Sequence, residues 1–193
     1  RALDYDTAVA TDKFGNIHAS RLAESISREV TDDATGAFIR TQAAVAQAAQ
    51  SKGLGANAAV SLTQTMETIS QFYLGEAVTA LHVGPLVPGG SETILYGSML
   101  GAIGALQPMT SREDIDFFQH LEMHLRQALS PLLGRDHLQF RSSYFPSKHV
   151  IDGQLCEQFA LLPANVQHEI AEELDRSPAD VLKKLEDVRN RIM

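Results

Sequence analysis

In the first half of the chain, apolar and polar residues alternate with a period near two, which predicts half-buried strands. Residues 5–11 run this way into Asp12-Lys13-Phe14-Gly15-Asn16, and residues 17–22 follow. This pair predicts a hairpin, with Gly15 supplying the left-handed position of its turn. Residues 65–73 predict a third strand, in which Met66, Thr68, Ser70 and Phe72 interleave with Thr65, Glu67, Ile69 and Gln71. Residues 77–83 predict a fourth, closed by Pro85, Pro88, Gly89 and Gly90. Residues 93–98 and 102–106 predict a last pair around Gly101. Residues 23–62 interrupt the pattern. Their polar beginning, 24–36, favours a loop, and 41–50 has helix propensity with only a weak apolar stripe. The segment reads as a long excursion between two strands.

After Pro108 the period changes to that of helices. Ser111 and Asp114 make a capping-box pattern, and Phe117, Phe118, Leu121, Leu125, Ala128 and Leu129 share one face up to a stop at Ser130-Pro131. Residues 132–148 predict an ordered loop holding Phe140, Tyr144 and Phe145. Three helices follow. Asp152 caps the first, which buries Leu155, Phe159 and Leu162; Pro163 starts the second, with Val166, Ile170 and Leu174. Ser177-Pro178-Ala179-Asp180 starts the last, whose stripe is Val181, Leu185, Val188 and Ile192. The fold class is mixed, β then α. About six short strands supply one propeller blade of about 40–45 residues and part of another, too few to close a ring of at least about four blades. The expected organisation is the end of a β-propeller over residues 1–109, with 23–62 as a long loop or insertion, and a small C-terminal α-helical domain over 110–193.

Composition narrows the partners. Lys and Arg number 16 against 24 Asp and Glu, a net charge of −8. Phosphate binding needs clustered cations, so no direct nucleic-acid binding by this stretch is expected. The single cysteine, Cys156, cannot form an internal disulfide, which fits a reducing compartment. No apolar run approaches the roughly 18–20 residues of a membrane span, and none is expected. The chain opens Arg-Ala-Leu-Asp-Tyr, without Met or a signal sequence, inside what reads as a strand. It is therefore expected to be part of a longer polypeptide.

Candidate chemistry is sparse. His120 and His124 stand four apart on a helix and could share a metal with a third ligand such as His137 or His149. That would suggest a metal-dependent hydrolase. The metalloprotease pattern, however, places Glu directly after the first His, whereas Glu122 comes two after it. Packing and hydrogen bonding explain this helix better. Arg135, Asp136, His137 and Arg141 form a charged loop without a neighbouring nucleophile motif. A structural role is expected, with the charges paired to each other or to backbone and locking the helical domain to the strands. Cys156 beside Leu155 and Phe159 reads as a buried, inert thiol. No catalytic residue, metal site or cofactor is expected.

Several longer strings point to one family. They include Phe117-Phe118-Gln119-His120, Glu122-Met123-His124-Leu125-Arg126, Gly134-Arg135-Asp136-His137-Leu138 with Phe140-Arg141-Ser142, and Tyr144-Phe145-Pro146. Val150-Ile151-Asp152-Gly153, Leu155-Cys156-Glu157-Gln158-Phe159, Glu172-Glu173-Leu174-Asp175-Arg176 and Lys183-Lys184-Leu185-Glu186-Asp187 continue the match, as do Asp12 to Asn16 and Leu86 to Glu92 upstream. In this order they resemble the triple-β-propeller family of the splicing factor three-b complex. The wider superfamily holds the large damaged-DNA-binding protein and the large subunit of the cleavage and polyadenylation specificity factor. The resemblance implies a non-enzymatic nuclear scaffold in pre-mRNA splicing. Its implied partners are the remainder of its own polypeptide, a HEAT-repeat large subunit, a PHD-finger-like zinc-containing subunit and a very small subunit. A related scaffold in DNA repair with ubiquitin ligation, or in mRNA 3′-end processing, is the alternative. Rims and turns of propellers carry binding, so Ala77, Thr79, Leu81, Glu92, Thr93 and Tyr96 are expected to contact partners, together with Lys148, a cation beside Phe145. Arg135, Asp136, Arg141 and Asp152 are expected to be structural.

Overall fold

The computed structural model describes residues 1–24, 27, 28, 32, 36, 66–129 and 134–192. Six strands come first among them: β1 (Thr7–Thr11), β2 (Asn16–Arg21), β3 (Glu67–Tyr73), β4 (Val78–Gly84), β5 (Thr93–Ser98) and β6 (Ile103–Leu106). They form two three-stranded sheets, ordered β1-β2-β3 and β4-β5-β6. Five α-helices follow: α1 (Arg112–Ala128), α2 (His137–Phe140), α3 (Gly153–Glu157), α4 (Ala164–Glu173) and α5 (Pro178–Ile192), with a 3-10 turn at Gln158–Leu161. All six predicted strands are present, and the five helices named here follow the last of them as expected. The chain divides into two compact units: Arg1–Ala10 with His18–Ser70, and Thr11–Ile17 with Gln71–Met193. The division thus passes through the strands of the first sheet, and position 109/110 falls inside the second unit.

In the first unit Asp6 is the polar anchor. Thr7 Oγ1 donates to it at 2.8 Å and Arg21 Nε at 3.2 Å. Hydrogen bonds from Thr7 first hold the Asp6 carboxyl at about 2. Ser27 is buried, with its hydroxyl within 3.0 Å of Tyr5 Oη and 3.1 Å of Asp6 Oδ2. This corrects the loop expected at 24–36 in part, since Glu24, Ser27, Arg28 and Asp32 have helical backbone. The i,i+4 pair Glu24–Arg28 supports such a turn, and polarity alone does not exclude a helix. The rest of the 23–62 excursion, the helical tendency at 41–50 and the stop at Ser130-Pro131 lie outside the described residues.

In the second unit, Asp12 fastens the predicted turn by accepting from the backbone of Phe14 and Asn16. Gly15 there has φ 94°, the left-handed value the turn requires. The strands β4, β5 and β6 pair antiparallel, with Tyr96 opposite both Leu81 and Gly104. The Tyr96 ring lies over Gly104, where a Cβ would collide with it. The helices share one core: Phe118, Leu121 and Leu125 of α1, Leu155 and Cys156 of α3, Phe159 of the 3-10 turn, Ile170 and Ala171 of α4, and Val181 of α5. The predicted stripes therefore meet, with Phe117, Leu129, Leu162, Val166, Leu174, Leu185 and Val188 at the margin. Ala128, expected on the buried face, is exposed, whereas Leu129 beside it packs at the margin of the core. Ser111 caps α1 by accepting from the Asp114 N–H. Ser177 caps the predicted start of α5 by accepting from the Asp180 N–H, and its Oγ donates to Asp180 Oδ2 at 2.6 Å.

Candidate functional site

The segment between α1 and α3 carries most of the charged residues singled out above, and the structure gathers them around Asp152. Asp152 is buried and accepts from the Gln154 and Leu155 N–H groups, so it caps α3 as expected. Its other oxygen accepts from Arg141 Nε at 2.6 Å and lies 2.8 Å from His137 Nε2. Arg141 also donates to Gln154 Oε1 at 2.5 Å. The guanidinium stacks between two rings, 5.1 Å from the centroid of Phe72 and 5.1 Å from that of Phe140. Its backbone oxygen accepts from the Tyr73 N–H. One arginine thus joins β3, α2 and α3. Asp136 pairs with Arg126 of α1 at 3.1 Å. Asp136, Arg141 and Asp152 occupy positions suited to the structural roles expected for them. Arg135 does not: it is exposed and makes no hydrogen bond or ion pair among the described residues.

The loop expected at 132–148 contains α2, a four-residue helix too short to show a stripe. Above the arginine it presents exposed Leu138, Phe140, Tyr144 and Phe145. Leu138, Tyr144, Phe145 and Pro146 wall an open depression of about 310 Å³, which Ser143 and Ser147 also line. Phe14 packs edge-on against Tyr144, at 5.2 Å between centroids. Lys148 is exposed, and its backbone forms an antiparallel bridge with Gln71 through bonds of 2.9 and 2.8 Å. The expected contact residue therefore extends β3 by one bridge. Nothing in the sequence pattern signals this pairing.

The remaining contact candidates sit on the second sheet. Thr79 and Glu92 are exposed, and Ala77, Leu81 and Tyr96 are half-buried. Thr93 is 0% exposed and its hydroxyl donates to the Ser91 carbonyl, so its side chain presents nothing to a partner. Its neighbour Ile94 is buried as well, so alternation gives no exposed face at the start of β5. The turn beside these residues leaves Met99, Leu100 and Ile103 exposed.

The histidines of α1 are already engaged. His120 Nδ1 lies 2.7 Å from the Asp116 carbonyl, and His124 Nδ1 lies 2.6 Å from Glu173. Among the described residues no three His, Cys, Asp or Glu side chains are placed to hold a metal ion. Glu122 is half-buried beside Asp152, and burial raises its carboxyl above the ordinary range while the Asp152 N–H opposes the shift. Burial likewise pushes the Cys156 thiol up, which disfavours the reactive thiolate. No helix among the described residues is long and apolar enough to cross a membrane.

Comparison with known proteins agrees with the ordered strings. Residues 1–161 match the family described as the CPSF A subunit region. The chain is 49% identical over 191 residues to spliceosome-associated protein 130 A of Arabidopsis thaliana, covering 99% of this chain and 15% of that protein. It is 49% identical over 189 residues to splicing factor 3B subunit 3 of Danio rerio, covering 98% and 14%. Identity to pre-mRNA-splicing factor RSE1 of Mycosarcoma maydis is 45% over 187 residues, covering 97% and 14%. The chain therefore spans about one seventh of the length of these curated relatives. With the match over residues 1–161 and near-half identity to splicing-factor relatives along its length, the chain belongs to the CPSF A subunit region family.

Proposed function

We propose that this chain is a scaffold segment of a splicing-factor subunit, acting in pre-mRNA splicing in the nucleus through protein–protein contacts and without catalysis. The observation that carries this reading is the near-half identity, over almost every residue, to relatives named as splicing factors in a plant, a fish and a fungus. The chemistry fits. The buried charges Asp152, Arg141 and Asp114 are held in ion pairs between elements, and the α1 histidines are engaged locally. Such a chain offers surfaces to partners. On this reading residues 1–109 end a propeller and 110–193 form a helical domain. The partners are the rest of its own polypeptide, a HEAT-repeat large subunit, a PHD-finger-like zinc-containing subunit and a very small subunit. Lys148, Thr79 and Glu92, flanked by Ala77, Leu81 and Tyr96, are the proposed contacts.

Affinity purification of the full-length protein, with identification of what co-purifies, tests the reading. Splicing partners are expected; recovery of DNA-repair or 3′-end-processing partners instead would sink it. A second measurement separates scaffold from catalyst. Leu185→Ala should lower subunit abundance, and Glu122→Gln should change little. Splicing per assembled complex should be the same for both. Loss of activity in Glu122→Gln with normal assembly would contradict the non-catalytic reading.

A further inference from the structure

The segment after α2 carries an aromatic surface that packing within the chain does not use. Tyr144 is 67% exposed, Phe145 56% and Phe14 48%. Exposed apolar residues scattered singly are ordinary, but adjoining ones mark interaction sites. These adjoin: Phe14 packs edge-on against Tyr144, and Tyr144 and Phe145 wall the same depression. The depression is held in shape from within. Ser142 Oγ donates to the Leu138 carbonyl at 2.6 Å and accepts from the Ser147 N–H at 3.3 Å, so one hydroxyl ties together the two ends of the lining. A held surface loses little conformational freedom when a partner docks.

The lining decides what fits. All eight residues around the depression are uncharged. The charges at its margin are of both signs: Lys13 lies 5.0 Å over the Phe14 ring, with Asp12 in the same turn and Glu76 against Gly15. A neutral occupant is therefore selected, since a charged one would lose hydration here without gaining a counter-ion in the lining. The Tyr144 hydroxyl and the Gln139 amide make no hydrogen bond among the described residues, which leaves donors for carbonyl oxygens. Strand addition is not offered, because the Lys148 N–H and C=O beside the lining are taken by Gln71. An amphipathic helix lays a face of several turns into a groove, whereas this depression is bounded by residues 138–147 alone. A proline-rich segment in the polyproline II conformation meets the remaining demands: it is stiff, uncharged, presents its carbonyls and docks against aromatic side chains. We propose that this surface docks such a segment of a partner protein, a proline ring seated in the depression against Tyr144 and Phe145 and segment carbonyls accepting from the Tyr144 hydroxyl and the Gln139 amide. This rests on the scaffold reading and deepens it by giving one partner its chemistry.

Fluorescence anisotropy on the purified full-length protein tests the proposal. The probes are a fluorescein-labelled oligoproline, a glycine–serine peptide of the same length, and a peptide of Asp and Glu around one Trp. The oligoproline is expected to bind at least about tenfold more tightly than either of the others. It should lose little affinity in high salt, because no ion pair is made. Tyr144→Ala should weaken it about tenfold. Tyr144→Phe keeps the ring and removes only the donor, so its loss of about threefold reports docking even if Tyr144→Ala disturbs folding. Equal binding of the oligoproline and the glycine–serine peptide, tighter binding of the acidic peptide, a steep loss with salt, or unchanged affinity in Tyr144→Phe would each overturn the proposal. Co-purification of splicing partners, measured on the same preparations, separates the two readings: normal partners without oligoproline binding reject this surface alone.

Discussion

Asp152 concentrates the consequences of one side chain. It caps α3, accepts from Arg141 and sits against His137. Asp152→Ala would leave the buried Arg141 guanidinium without its carboxylate, a loss of about 3–5 kcal/mol, read as a fall in urea midpoint. Arg141→Lys should be nearly as damaging. An ammonium has neither the fork that reaches Asp152 and Gln154 nor the plane that stacks on Phe72 and Phe140. Gly15 is the other sensitive position. Besides φ 94°, a Cβ there would lie 2.8 Å from the Glu76 backbone, so Gly15→Ala should cost more than about 1 kcal/mol, checked by the same melt. These two residues were legible in the sequence to different depths. Gly15 follows from turn chemistry alone, and Asp152 follows as a cap. The convergence of Arg141 and His137 on Asp152 does not, because no local rule brings together side chains 11 and 15 residues apart across an irregular segment. Arg135 looked like its neighbours in sequence and differs from them only in what surrounds it.

At the scale of elements, α1 and α5 are joined by charge as well as by core. Asp114, buried in the first turn of α1, accepts from Lys184 at 2.6 Å and Arg191 at 3.0 Å. The hydrogen bond from Lys184 first, and then Arg191, hold its carboxyl below the ordinary range. A carboxylate depressed in the folded state stabilises fully above its unfolded pKa, and that contribution is lost as pH falls through the folded value. Acid should therefore loosen the α1–α5 contact. Asp114→Asn should be less stable at neutral pH and show a shallower acid loss, measured by helical circular dichroism against pH. The helices were readable because α1 and α5 keep an apolar stripe over several turns and carry clear caps. The four-residue α2 has no room for a stripe. The first sheet's extra bridge at Lys148 was hidden because a single bridge needs no alternating run.

At the scale of the whole chain, the order of strands before helices was legible, since the hydrophobic period changes near Pro108. The compact units were not: one takes Thr11–Ile17 together with Gln71–Met193, and a boundary drawn along the sequence cannot express such an exchange. The β6 edge carries Ile103 at 86% exposure, an aggregation hazard for the chain expressed by itself. Ile103→Lys should reduce light scattering of that material while leaving its melting temperature nearly unchanged, as surface substitutions stay within about 0.5 kcal/mol; unchanged scattering would clear this edge. The hydrogen bond from Ser91 Oγ to the Arg191 carbonyl spans 100 residues, and that from Arg191 to Asp114 spans 77. A ribosome adding about 5–20 residues per second takes about 5–20 seconds to deliver Arg191 after Ser91. Through that interval the turn before β5 waits on a backbone carbonyl, and through most of it the first turn of α1 waits on a guanidinium, neither yet synthesised, and a chaperone has that long to hold them.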